Sequence, residues 1–98
     1  MKASRNRQRG KDSEREVAKI LGGKRVGIMG GEDISHPDYS IEVKSRQSFV
    51  AKKWMEQAKR NSKGGKIPLV VVHAGNTPHA TDLVLLNIED FKKITTKE

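Results

Sequence analysis

Ile41-Glu42-Val43-Lys44 decides how this chain is read: a carboxylate and an amine stand one residue apart inside a short run that otherwise has a strand's alternation. Strand side chains repeat every two residues, so Glu42 and Lys44 lean out of one face while Ile41 and Val43 enter the other. Charged residues on a short β run cost burial energy unless something compensates them. A divalent metal ion beside a phosphate oxygen compensates both signs at once, which points the pair toward phosphodiester chemistry.

Working outward, residues 39–45 read as a strand, and Asp33-Ile34-Ser35 as the start of a preceding one that must reverse near His36-Pro37-Asp38. Before that, residues 24–29 read as a first strand and Gly30-Gly31 as a turn. Ser13-Glu14-Arg15-Glu16 has the form of a capping box, in which the Ser13 hydroxyl accepts the Glu16 amide, so a helix is expected to start there. Val17, Ile20 and Leu21 continue it at helical spacing, and Gly22-Gly23 ends it.

Downstream, Ala51, Trp54, Met55 and Ala58 recur at i, i+3, i+4 and i+7, which predicts a helix over residues 50–62 with Trp54 in its core stripe. Residues 68–72 are apolar and β-branched on both faces, as a central strand would be. A loop at 74–80, a strand at 82–86 and a short helix capped by Asn87 and running through Phe91 complete the pattern. The order is helix, three strands, helix, two strands, helix: an α/β domain with helices packed on a mixed sheet.

With 98 residues, only 34% of them hydrophobic, the chain is expected to form one domain, residues 12–98, behind a basic flexible leader at 1–11. So small a core suggests a partner subunit. Twenty basic against twelve acidic side chains give a net charge of +8, which suits an anionic polymer better than a small neutral substrate. The charge is clustered: Lys2, Arg5, Arg7, Arg9 and Lys11 precede the first acid, and Lys52, Lys53, Lys59, Arg60, Lys63 and Lys66 surround the second helix. The bland alternative is a solvated surface with a frayed N-terminus. The lack of cysteine excludes disulfides and thiolate zinc sites. No run is apolar and long enough for a membrane helix, so a cytoplasmic protein, in a bacterial or phage-infected cell, is the simplest expectation.

Phosphodiester hydrolysis at neutral pH calls for a divalent ion, and magnesium takes hard oxygen ligands, often one or two carboxylates. Asp33 and Glu42 can meet if the second strand folds back on the third, with the carbonyl of Val43 as a further ligand. The Lys44 ammonium could hold the attacking water or meet the developing phosphorane charge. Glu14, on the first turn of its expected helix, could add a carboxylate directly or through water.

Gly10, Ser13-Glu14-Arg15-Glu16-Val17, Gly30-Gly31, Asp33-Ile34 and Ile41-Glu42-Val43-Lys44-Ser45-Arg46, taken together, resemble the PD-(D/E)xK nuclease superfamily, most closely its archaeal Holliday-junction-resolvase branch and related small phage nucleases. The resemblance covers residues 10–60 and extends beyond them only in strand order. It implies a restriction-endonuclease-like αβββαβ core with a central mixed sheet flanked by helices. It further implies a Mg2+- or Mn2+-dependent DNA endonuclease acting in recombination, with Glu14, Asp33, Glu42 and Lys44 as active-site residues. Pro37-Asp38 carries the superfamily's name literally, so Asp38 is the second candidate for the aspartate. It stands only four residues before Glu42, however, which leaves little chain for a hairpin.

Gln57 borders the apolar stripe of the second helix, and similar nucleases often have a glutamine there. Its plain alternative is a solvent-facing helix glutamine. Lys53, one turn earlier, is placed for a phosphate or for solvent. Arg46 joins Arg5, Arg7, Arg9, Lys11 and Lys53 as a candidate DNA contact. His36, His73 and His79 lack metal-ligand spacing and are expected to be structural or exposed. Gly30-Gly31 and Gly64-Gly65 do not form a P-loop. A homodimer would set two sites about a two-fold axis, and a protein partner could target so small a nuclease. The contrasting hypothesis is a nucleic-acid-binding module without catalysis, in which Glu42 and Lys44 are only a surface ion pair.

Overall fold

The computed structural model describes residues 2–27 and 31–96, and for residues 2–7 only the backbone. The end of the first expected strand and Gly30 of the expected turn lie outside the described residues. The elements are α1 (Lys2–Leu21), β1 (Lys24–Arg25), β2 (Ile34–Ser35), β3 (Ser40–Ile41), α2 (Ala51–Asn61), β4 (Val70–Val72), a 3-10 turn (His79–Thr81), β5 (Leu83–Leu85) and α3 (Ile88–Thr95). This order contains the αβββαβ arrangement of strands flanked by helices. The chain forms two compact units, Met1–Gln47 and Ser48–Glu98. The strands pair antiparallel as β1-β2-β3 in the first unit and β4-β5 in the second.

In the first unit α1 starts at Lys2, so Ser13 lies inside the helix and is not its N-cap. The leader is rich in Lys, Arg and Gln, whose straight side chains lose little freedom in a helix. Side-chain bonds tie successive turns together: Gln8 Nε2 donates to Asp12 Oδ1 at 3.0 Å, and Arg15 Nη1 reaches the same oxygen at 3.3 Å. At the other end Gly22, with φ of 81°, closes the helix as its amide donates to the Ala18 carbonyl at 2.9 Å.

Gly23 is required for a different reason. Its backbone lies against β2, and a Cβ there would stand 2.6 Å from Ile34 Cγ2 and 2.7 Å from the Ser35 carbonyl oxygen. Ile34 is fully buried and, with Ala18, makes the core of this unit. Gly23→Ala is therefore expected to lower stability by about 1–3 kcal/mol, the usual cost of overpacking. Gly10→Ala, where a Cβ meets nothing within 4 Å inside a helix, is expected to raise it by about 0.5–1 kcal/mol. Denaturant melts of the two variants check both signs; equal midpoints would refute the packing argument.

The hairpin of β2 and β3 pairs Ile34 with Ile41 and Ser35 with Ser40, while β1 pairs Arg25 with Ile34. Backbone bonds extend the ladder on both sides of Asp33: Val26 donates to its carbonyl at 2.9 Å, and its amide donates to Ile41 at 3.0 Å. The reversal is held by His36, whose Nδ1 accepts the Asp38 amide at 3.0 Å and whose ring lies 4.9 Å from that of Tyr39. The third strand is shorter than residues 39–45. Beyond Ile41 the ladder stops because the Val43 amide is taken by the Asp33 side chain and not by a strand carbonyl. The two-residue alternation nonetheless persists: Ile41, Val43 and Ser45 are half-buried, while Glu42 and Lys44 are exposed.

In the second unit α2 packs against β4, with Ala51, Met55 and Ala58 half-buried. Trp54 is 41% exposed, so it borders this stripe and is not a core residue. Residues 68–72 do not form a central strand: among the described residues β4 pairs with β5 alone, and Val71 is 60% exposed. The register is Val70 with Leu85, Val71 with Val84 and Val72 with Leu83. Asn87 stands at the N-cap of α3, and its carbonyl accepts the Phe91 amide at 3.0 Å without a side-chain cap bond. The helix continues past Phe91 to Thr95, favoured by Glu89 and Asp90 in its first turn and Lys92 and Lys93 in its last.

Candidate active site

Just before the Ile34–Ile41 pair, Asp33 lies alongside residues 41–43: its amide donates to the Ile41 carbonyl at 3.0 Å, and its side chain meets the Val43 amide. Asp33 is half-buried, and its Oδ2 accepts the Val43 amide at 2.7 Å. A carboxylate offers about four lone-pair positions, so this bond fixes the side chain and leaves capacity for a cation. Glu42 is exposed, with Oε2 3.8 Å from Lys44 Nζ, so the two project to the same side. Asp38 sits in the hairpin reversal, at the end of the ladder away from Glu42.

Glu14 lies on α1, where its Oε1 accepts Arg25 Nε of β1 at 2.7 Å in a largely screened ion pair. Its charge is thus already met by a guanidinium. Arg9 and Lys11 are exposed on α1; Arg5 and Arg7 lie on the same helix, and their side chains fall outside the described residues. Arg46 is exposed and donates from Nη1 to the Ser45 carbonyl at 2.9 Å. Gln57 and Lys53 are exposed on α2, in the second unit.

His73 and His79 are exposed, as expected, but they are not without metal-ligand company. Among the described residues, the three potential metal ligands that converge are not Glu14, Asp33 and Glu42 but His73, His79 and Asp82, whose ligand atoms lie within 4.8 Å of one another. His73 Nδ1 stands 2.6 Å from Asp82 Oδ1, and His79 Nδ1 stands 3.0 Å from Asp82 Oδ2. The two rings stack at 4.0 Å between centroids. This surface cluster could chelate a metal ion, in keeping with a metal-dependent enzyme and a nuclease-like fold in general.

Linear spacing hides the cluster, because it is made by strand pairing. Continuing the Val72–Leu83 pair by one residue places His73 opposite Asp82, and the 3-10 turn brings His79 back over both. Pairing the two expected strands as a hairpin would have revealed it.

Among the described residues no helix is long and apolar enough to cross a membrane. No protein-family model, curated protein or solved structure matches the chain.

Proposed function

We propose that this chain is a Mg2+- or Mn2+-dependent DNA endonuclease of the PD-(D/E)xK type, acting on branched, junction-like DNA. The observation that supports the reading is the hairpin in which the Asp33 side chain accepts the Val43 amide, between Glu42 and Lys44, whose side chains project to one side. Two carboxylates fit magnesium, which commonly takes one or two from protein and completes its shell with water and phosphate oxygens. When bound, the ion would polarise the phosphate and acidify a coordinated water. Asp33 and Glu42 would hold it, with Val43 as a backbone ligand and Glu14 acting through water. Lys44 would orient the nucleophile and meet charge developing on the phosphate. Arg5, Arg7, Arg9, Lys11, Arg46 and Lys53 would contact the DNA backbone.

A second reading also has an observation behind it: all three acids already have partners, Asp33 in Val43, Glu42 in Lys44 and Glu14 in Arg25. On that reading the chain binds nucleic acid without cutting it. Incubation with junction, flap, nicked and duplex DNA, with and without each metal, separates the two. Metal-dependent cleavage supports the enzyme; binding indifferent to metal, with intact DNA, supports the module.

Lys11→Gln and Lys53→Gln are each expected to reduce the slope of log affinity against log salt by about 0.9, as loss of one phosphate contact does. An unchanged slope would make either lysine a solvated side chain. A homodimer would set two sites on opposite strands of a symmetric junction. Sedimentation equilibrium is then expected to give twice the mass of one chain, and a fully active monomer would refute it. A protein partner for targeting and a cytoplasmic location are part of the same proposal.

A further inference from the structure

We propose that His73, His79 and Asp82 form a second metal site, selective for a zinc-class transition-metal ion, which clasps the β4–β5 hairpin. It differs in residues and in chemistry from the magnesium-type acids of the first unit.

The donor set is the first argument. Two imidazole nitrogens and one carboxylate suit zinc and its neighbours, whereas magnesium prefers oxygen alone. Three protein ligands with a fourth position open to water is a recurrent zinc arrangement.

The second argument is the surroundings of His73. Its Nδ1 faces Asp82 at 2.6 Å, while its Nε2 faces the Gly75 carbonyl at 3.0 Å. Both ring nitrogens therefore meet oxygen acceptors, and a neutral ring carries a proton on only one of them. A positive centre between the ring and the carboxylate satisfies the arrangement, and a metal ion at Nδ1 with Nε2–H donating to Gly75 does so completely. A ligating histidine typically gives its other N–H to a backbone carbonyl in this way, which fixes the ring for the ion.

Reach is the third. Ligands about 2.0–2.2 Å from zinc stand roughly 3.3 Å apart in a tetrahedron. The ligand atoms already lie within 4.8 Å of one another, and the stacked rings turn both Nδ1 atoms toward Asp82, so gathering them about one ion takes side-chain adjustment alone. The ligands come from the residue after β4, the 3-10 turn and the residue before β5, so one ion would close the whole loop. A two-stranded hairpin is marginal by itself, which gives such a clasp something to stabilise.

Isothermal titration of the intact chain with Zn2+, paired with thermal melts, tests the site, and Co2+ absorption reports its geometry. One zinc per chain at this site, a raised melting temperature and a tetrahedral Co2+ spectrum that a large excess of Mg2+ does not erase are expected. His79→Ala should weaken zinc binding more than about tenfold and remove the thermal gain. The His79 side chain is 81% exposed, so this variant should stay folded, which far-UV circular dichroism verifies. Asp82→Asn should behave likewise, and Asp33→Asn should leave zinc binding unchanged. Zinc binding as tight in folded His79→Ala as in wild type, or lost in Asp33→Asn, or displaced by Mg2+, would overturn the proposal.

Discussion

Asp33→Asn is expected to lower metal-dependent DNA cleavage by at least about a hundredfold, beyond the 10–100-fold that loss of an outer-shell partner costs a metal site. The substitution suits the geometry. Asparagine keeps a carbonyl oxygen that can still accept the Val43 amide, so the bond now made at 2.7 Å survives and the hairpin should remain folded. What disappears is the negative charge that would hold a hard cation together with Glu42. DNA affinity measured without metal should stay near wild type, because no phosphate contact is removed. Asp33→Ala should in addition lose about 1 kcal/mol of stability with the hydrogen bond. Asp38→Asn is the control, expected to cleave normally from its place in the reversal. Full activity in Asp33→Asn with loss in Asp38→Asn would transfer the role to Asp38.

The placement of Asp33 was legible because it follows from chain length. Three residues separate Asp38 from Glu42, which keeps Asp38 in or beside the reversal, whereas the longer stretch from Asp33 lets it lie along the segment that carries Glu42, in keeping with the Ile34–Ile41 pair. Alternation through residues 41–45 was legible for a similar local reason, since side-chain period does not depend on whether the ladder continues. The start of α1 was not. Ser13-Glu14-Arg15-Glu16 has the sequence of a cap, but a cap competes with whatever the preceding residues prefer, and here the leader continues the helix back to Lys2. The exposure of Val71 shows the same limit: an apolar run states what a strand could bury and not what is packed on it. Convergence of His73, His79 and Asp82 depends on the register of β4 with β5, which no spacing along the chain displays.

Lys44→Ala separates catalysis from stability more sharply than any other single change. The Lys44–Glu42 pair spans 3.8 Å, with 71% of the lysine and 55% of the glutamate side chain exposed. Pairs so open to solvent are worth roughly 0–1 kcal/mol, so if Lys44 served only as a surface partner its loss would barely move a melting curve or anything else. Positioned to transfer or stabilise charge at a phosphate, the same ammonium is worth about 10²–10⁴ in rate. Lys44→Ala is therefore expected to melt within about 0.5 kcal/mol of wild type, as ordinary surface substitutions do. Its kcat for cleavage should fall by about 10²–10⁴, with Mn2+ affinity near wild type because no ligand is removed. Lys44→Arg keeps the charge but loses the compact ammonium, and a guanidinium is not an equivalent donor at a constrained site, so it should recover only part of the rate. A Lys44→Ala protein that cuts at the wild-type rate would reduce Glu42 and Lys44 to the surface pair of the binding-module reading. One that loses Mn2+ binding along with turnover would place the lysine in the metal's support and out of the chemistry.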